Sequence, residues 1–338
     1  MAGRLRAAGA WLGLAAAMAF ASQALGQAVD QGAGQAAGQA ATRQTRVERV
    51  SFPPNDAPQT KPKPERLNGV LHLPEGAPPF SVVVITPSSG GEKPDREGFY
   101  ADQLARGGIA ALEVESFRSR GLTNSVRDQS VLSSFESEND AAAALKWLAA
   151  DPRFRPDRIG VTGVSKGGAV ALNSAFAVRR RWTRTSAETF AAHAPIAPPC
   201  GFVPDDPRTT GAPIFFMLAE LDDQTPAAPC INLAELLRRG GHTGIALKVY
   251  EGAHHGWETA GTRPYFDPLA QNFRGCRGTI TGDGAMRMRD GPVVPGPQQH
   301  AFLRDTCMSL GTHCCGGNQA LREEAARDLV AFFRRSGF

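Results

Sequence analysis

Two apolar rhythms alternate along this chain. Short unbroken runs, rich in β-branched and aromatic residues, read as strands: "SVVVIT" (81–86), "IAALEVESF" (109–117), "RIGVTG" (158–163), "TFAAHAPIAPP" (189–199), "APIFFMLAE" (212–220) and "IALKVYEGA" (245–253). Runs of this kind suit strands buried on both faces. Between them lie stretches with helical spacing: "EGFYADQLARGG" (97–108), "ENDAAAALKWLAADP" (138–152), "SKGGAVALNSAFAV" (165–178) and "PAAPCINLAELLRRGG" (226–241), with "NQALREEAARDLVAFFRRSGF" closing the chain. Two further strands, "VERVSF" (47–52) and "LNGVLHLP" (67–74), precede the first helix. Strand alternating with helix predicts βαβ units: an α/β fold with a mostly parallel central sheet and helices on both faces.

The rhythm fails in two places. From about 258 to 317 there is little periodicity. Cys276, Cys307, Cys314 and Cys315 all lie there, so the expectation is a stapled, cysteine-rich insertion within a domain spanning 46–338. At the other end, Arg4 and Arg6 precede an apolar run from Ala7 to Ala21, and small residues follow at Ala24 and Gly26. That is the pattern of a secretory signal peptide, taken as 1–26; the run is short for an uncleaved anchor, and no later segment is apolar enough to span a bilayer. Residues 27–45, rich in Gln, Ala and Gly, read as a disordered linker.

Export changes how the cysteines are read. Six cysteines in an exported chain favour disulfides. Cys200 follows one strand and Cys230 lies just past the next, so neighbouring strand ends would bring them together. Cys276–Cys307 is a second expected pair, and Cys314 and Cys315 stay unassigned, with a vicinal bridge as one option. No C-x-x-C pair occurs, and His313-Cys314-Cys315 lacks zinc-site spacing. Charge adds little: without Arg4 and Arg6 the formal charge of +4 falls by two. No basic run interleaved with aromatics points to nucleic acid, and "RRRW" (Arg179–Trp182) reads as a solvated helix end or loop.

The chemistry centres on "GVTGVSKGG" (160–168), in which Gly163-Val164-Ser165-Lys166-Gly167 is G-x-S-x-G between a strand and a helix. On such a turn the glycines let the chain reverse sharply and lift the serine hydroxyl clear of the sheet; the bland alternative is a helix N-cap. A serine needs a base and an acid, in the chain order serine, acid, histidine. "AELDDQTP" supplies Asp222 and Asp223, and "GAHHGW" supplies His254 and His255. Each pair follows an apolar run, where loops at the carboxyl edge of a parallel sheet converge.

These loops, with "ESFRSRG" (115–121), carry a resemblance to the dienelactone hydrolase family of the α/β-hydrolase superfamily, over about Leu67 to Trp257 and the last helix. The chain departs from that family in having a serine nucleophile where the family has cysteine, and in its exported leader. The resemblance selects Asp222 from the aspartate pair, by its register between Ala219 and Pro226, and His255, because it precedes Gly256. It implies oxyanion-hole donors at the backbone of Lys166 and of the "PSSGG" loop, at Ser89 with Ser88 as the close alternative. It further implies that Arg118 or Arg120 holds an acidic substrate group, a structural salt bridge being the competing reading. Trp257 is placed either in the acyl pocket wall or in the core. The expectation is a periplasmic or secreted serine hydrolase of a small carboxylic ester or lactone, needing no metal or organic cofactor. A peptidase or acyltransferase would use the same triad. A non-catalytic scaffold would have lost a triad member, and none is missing. Sequence alone leaves the oligomeric state open.

Overall fold

The computed structural model describes residues 45–57, 59, 63–185, 187–261, 263–289, 291–314 and 316–338. The leader expected at 1–26, the linker expected at 27–45 (Thr45 apart) and Cys315, half of the suggested vicinal bridge, lie outside the described residues.

In chain order the elements are β1 (Arg46–Phe52), β2 (Leu67–Leu73), β3 (Phe80–Thr86), α1 (Glu97–Arg106), β4 (Ala110–Val114), α2 (Ser134–Ala150), β5 (Phe154–Val164), α3 (Lys166–Asn173), α4 (Ala177–Trp182), β6 (Ala192–Ile196), β7 (Phe202–Pro204), β8 (Ile214–Ala219), α5 (Ala227–Arg239) and β9 (Ile245–Tyr250). They are followed by β10 (Tyr265–Asn272), β11 (Gly278–Ile280), β12 (Met286–Met288), β13 (Val293–Val294), α6 (Gln299–Thr306), β14 (Ser309–Cys314) and α7 (Gln319–Arg335). Eight of the described strands make one sheet in the order β1-β2-β4-β3-β5-β6-β8-β9. The β1/β2 and β2/β4 pairs are antiparallel and the rest parallel.

The period of two along a strand divides the core. In β3, Val83 and Ile85 face the layer containing Tyr100 and Leu104 of α1 and Leu329 and Phe333 of α7. Val82 and Val84 face the layer with Leu145 and Leu148 of α2 and Val170 of α3. β8 divides the same way: Phe215 and Met217 join the α1/α7 layer, while Ile214, Phe216 and Leu218 pack with Leu233 and Leu237 of α5. Burial on both faces explains why these strands are continuous apolar runs.

Several boundaries differ from the sequence reading. α2 begins at Ser134 rather than at Glu138, because Ser133 and Glu136 form a reciprocal capping box. The helix expected over 165–178 is two: it breaks where Phe176 bridges to Thr209 and Ala177 donates to the Arg208 carbonyl. In "RRRW" the Arg179 guanidinium is mostly buried, 3.6 Å from Glu138 and stacked 4.8 Å from the Trp182 ring, so that residue is part of a packed face and not a solvated end.

The segment at 258–317 is also more regular than its sequence suggests. β10 and β14 form an antiparallel ribbon, and β11, β12 and β13 extend from β7 as a second small sheet. Strands of two or three residues are too short to display alternation, and Pro268 sits at the register shift of β10, where a strand tolerates it. Cys200 and Cys230 are joined at 2.03 Å, and Cys276 and Cys307 at 1.97 Å across the end of the ribbon. No helix among the described residues is long and apolar enough to cross a membrane.

Candidate active site

The turn from β5 into α3 is built around Ser165, which has φ 57° and ψ −111°. Only a crowded turn forces a non-glycine residue there. The crowding explains the flanking glycines: a Cβ at Gly163 would lie 2.6 Å from the Thr86 carbonyl oxygen, and one at Gly167 would lie 2.2 Å from it. The Ser165 N–H donates to the Ile196 carbonyl at 2.8 Å, which fixes the turn against β6.

The strands then deliver the partners. His255, in the loop after β9, has Nε2 at 3.0 Å from Ser165 Oγ. Its Nδ1 is 2.8 Å from Oδ2 of Asp222, in the loop after β8. All three residues are under 10 % exposed: Ser165 7%, Asp222 6%, His255 7%. Asp222 Oδ1 accepts from the N–H groups of Gln224 (2.9 Å) and Thr225 (2.7 Å). Burial pushes the Asp222 carboxyl up, but His255 and the Thr225 hydrogen bonds outweigh it and hold the group below its ordinary value. The acid thus stays charged beside an imidazole whose Nε2 faces the serine.

Asp223 turns away from this line. Its carboxylate accepts from Thr312 Oγ1 (2.5 Å) and the His313 N–H (2.9 Å), and lies 2.9 Å from His313 Nδ1. It therefore stitches β14 to the acid loop. The ribbon also reaches the other side of the site. The Gln271 N–H donates to the Val126 carbonyl, and Gln271 Oε1 accepts from the Gln129 N–H at 3.1 Å. Gln129 Oε1 accepts from Ser89 Oγ at 3.0 Å, and Ser125 donates its N–H to the Ser89 carbonyl at 2.7 Å. Lys166 Nζ donates to Ser125 Oγ (2.7 Å) and to the Leu132 carbonyl, and burial lowers this amine to about 7.

The Ser89 loop and α3 supply N–H groups. The Ser88 N–H is directed to Glu97 Oε1 at 3.3 Å, whereas those of Ser89 and Lys166 have no acceptor among the described residues. That difference favours Ser89 over Ser88 as the second donor.

Three other expected residues sit elsewhere. Arg120 is buried in a bidentate ion pair with Asp140 (2.7 and 2.9 Å) and also donates to the Ser116 carbonyl, so it serves the structural reading and not a substrate carboxylate. Arg118 is half exposed and pairs with Glu115 at 2.8 Å. Trp257 is fully buried against Tyr250, ring centroids 5.4 Å apart, which makes it core and not pocket wall.

Thr225, beside Asp222 and His255, and Gln129, beside the Ser89 loop, escaped the sequence. Thr225 Oγ1 lies 2.9 Å from Asp222 Oδ2 and 3.1 Å from His255 Nδ1; its position three residues after Asp222, the spacing of a side chain that turns back on its own backbone, was the available signal. Gln129 lies in a loop with no periodic pattern and offered none.

Glu258 is completely buried three residues after His255, and burial raises its carboxyl to about 7, opposed by Arg96 and His255 and reinforced by Glu97. A folded value above the ordinary 4.5 means that the folded state holds the proton longer than the unfolded one. Glu258 therefore contributes stability that is full below about 4.5 and is lost as pH rises through about 7. Glu258→Gln is expected to lose less melting temperature than the wild type between pH 5 and pH 7.5; parallel losses would show that Glu258 does not titrate there.

The sequence profile of the dienelactone hydrolase family matches residues 67–272, more than half of the chain. No curated protein matches significantly. Among solved structures, esterase Est22 is similar at 17% identity, over 72% of this chain and 83% of that one, with a TM-score of 0.48. A hyperthermophilic esterase from the archaeon Pyrobaculum calidifontis is similar at 17% identity, over 63% and 76%, with a TM-score of 0.47. The chain belongs to the dienelactone hydrolase family, carboxylic ester hydrolases built on the α/β-hydrolase fold.

Proposed function

We propose that this protein is an exported serine hydrolase that cleaves a small carboxylic ester or lactone through an acyl-enzyme. The observation that carries the reading is the buried line Ser165 Oγ–His255 Nε2, His255 Nδ1–Asp222 Oδ2, at 3.0 and 2.8 Å. Ser165 Oγ attacks the carbonyl carbon and passes its proton to His255 Nε2. Asp222 stabilises the imidazolium. The carbonyl oxygen, now anionic, is held by the N–H groups of Lys166 and Ser89, at the positive end of α3. The intermediate collapses, the alcohol oxygen leaves with the proton from His255, and water repeats the sequence on the acyl-serine. The leader pattern at 1–26 and the two disulfides support export.

A fluorophosphonate is the direct test. It is expected to add one phosphonyl group per chain, on the peptide containing Ser165, and to stop hydrolysis of an activated ester in parallel. Adduct on another residue, or hydrolysis that survives full labelling of Ser165, would remove the assignment.

A further inference from the structure

β11 and β12 pair with Gly278 opposite Met288 and Thr279 opposite Arg287. One step further in the same register sets Arg277 opposite Arg289, and the Arg289 N–H donates to the Arg277 carbonyl at 3.2 Å. Cross-strand partners, and residues two apart on one strand, share a face. Arg277, Thr279, Arg287 and Arg289 therefore stand together on one face of the hairpin. Like charges directly opposite one another cost stability, and little here relieves them. Among the described residues Arg287 has only Asp205, at 3.6 Å. The Arg277 guanidinium donates to the Cys276 carbonyl. Neither Arg277 nor Arg289 has a carboxylate partner among the described residues.

These arginines line an open groove of about 470 Å³, within the size range of small-ligand pockets. α5 also lines it, through Pro229, Asn232, Leu233 and Leu236. That spacing is one stripe of the helix, and Leu236 is 40% exposed. The groove thus combines a cationic edge with an apolar wall. Neither Ser165 nor His255 lines it, and all three arginines lie beyond the segment 67–272 that matches the family.

We propose that this groove is a second binding site, for a small amphiphilic carboxylate. Its anionic head sits between Arg277 and Arg289, whose planar guanidiniums suit a carboxylate. Its apolar body lies along Pro229 and Leu236. The choice of a carboxylate rests on the family's ester hydrolysis, since each turnover releases a carboxylic acid.

Octanoate, acetate and 1-octanol, titrated calorimetrically into the full chain, test the site. Octanoate is expected to bind about tenfold or more tightly than acetate, which lacks the body, and than octanol, which lacks the charge. Binding should persist after Ser165 is phosphonylated. Arg277→Ala/Arg289→Ala should weaken octanoate about tenfold or more, with circular dichroism confirming the fold. Leu236→Glu, which puts a carboxylate on the apolar wall and removes no arginine, should also exclude octanoate. The proposal is overturned if the wild type does not bind octanoate, if both variants bind it as well as the wild type, or if phosphonylation of Ser165 abolishes binding, because the acid would then occupy the triad. Failure of Ser165 to take the phosphonate would count against the hydrolytic mechanism, while the two variants would still decide the groove.

Discussion

Asp222→Asn is expected to lower kcat by about four orders of magnitude on an activated ester, the loss seen when the acid of a serine triad becomes an amide. The reason lies in one proton. Asp222 Oδ2, 2.8 Å from His255 Nδ1, holds the hydrogen on Nδ1 and leaves the Nε2 lone pair facing Ser165. An amide NH₂ in its place donates to Nδ1, the imidazole hydrogen moves to Nε2, and nothing remains to take the serine proton. The fold should survive, because Asn keeps an oxygen for the N–H groups of Gln224 and Thr225. Asp223→Asn should reduce kcat by less than about tenfold, since it loosens contacts to Thr312 and His313 and leaves the triad intact. The check is kcat and a melting curve for each variant. A crippled Asp223→Asn beside an active Asp222→Asn would reverse the roles of the two aspartates.

Asp140→Ala is expected to destabilise the chain by about 3–5 kcal/mol, the cost of leaving a buried charge without its partner. Arg120 and Asp140 side chains are 8% and 1% exposed, so no solvent is at hand to replace the lost carboxylate. For a chain of this size that is on the order of ten degrees in Tm. The double variant Arg120→Met/Asp140→Leu removes both charges and should regain most of the loss, because the ion pair is needed mainly to neutralise itself. Urea unfolding of the three proteins measures it. A single variant as stable as the wild type would mean that Arg120 finds water or another acid.

What could be read from the chain follows from how each feature is encoded. β3, β8 and their helices were legible because burial on both faces makes continuous apolar runs with glycine or proline stops. Ser165, Asp222 and His255 were legible because each ends such a run, in an order set by the fold. Thr225 and Gln129 were not, since their roles come from distant loops meeting in space. The role of Arg120 stayed open between two readings for the same cause: its sequence neighbours show a basic loop, and only Asp140, on α2, shows that the charge is already answered. The ribbon of β10 and β14 was hidden by a proline and a register shift, and the strands of the small sheet by their brevity.

The ribbon has a consequence for timing. It touches the acid loop through Thr312 and His313, and the donor loop through Gln271 and Gln129. Cys276 and Cys307 tie its two arms together just beyond the paired residues. A nascent chain that has emerged only as far as His255 holds Ser165, Asp222 and His255 and lacks both braces. The last of them arrives with β14, and the tie across it forms only where thiols are oxidised. The order of synthesis thus puts Ser165, Asp222 and His255 ahead of the strand that braces their loops.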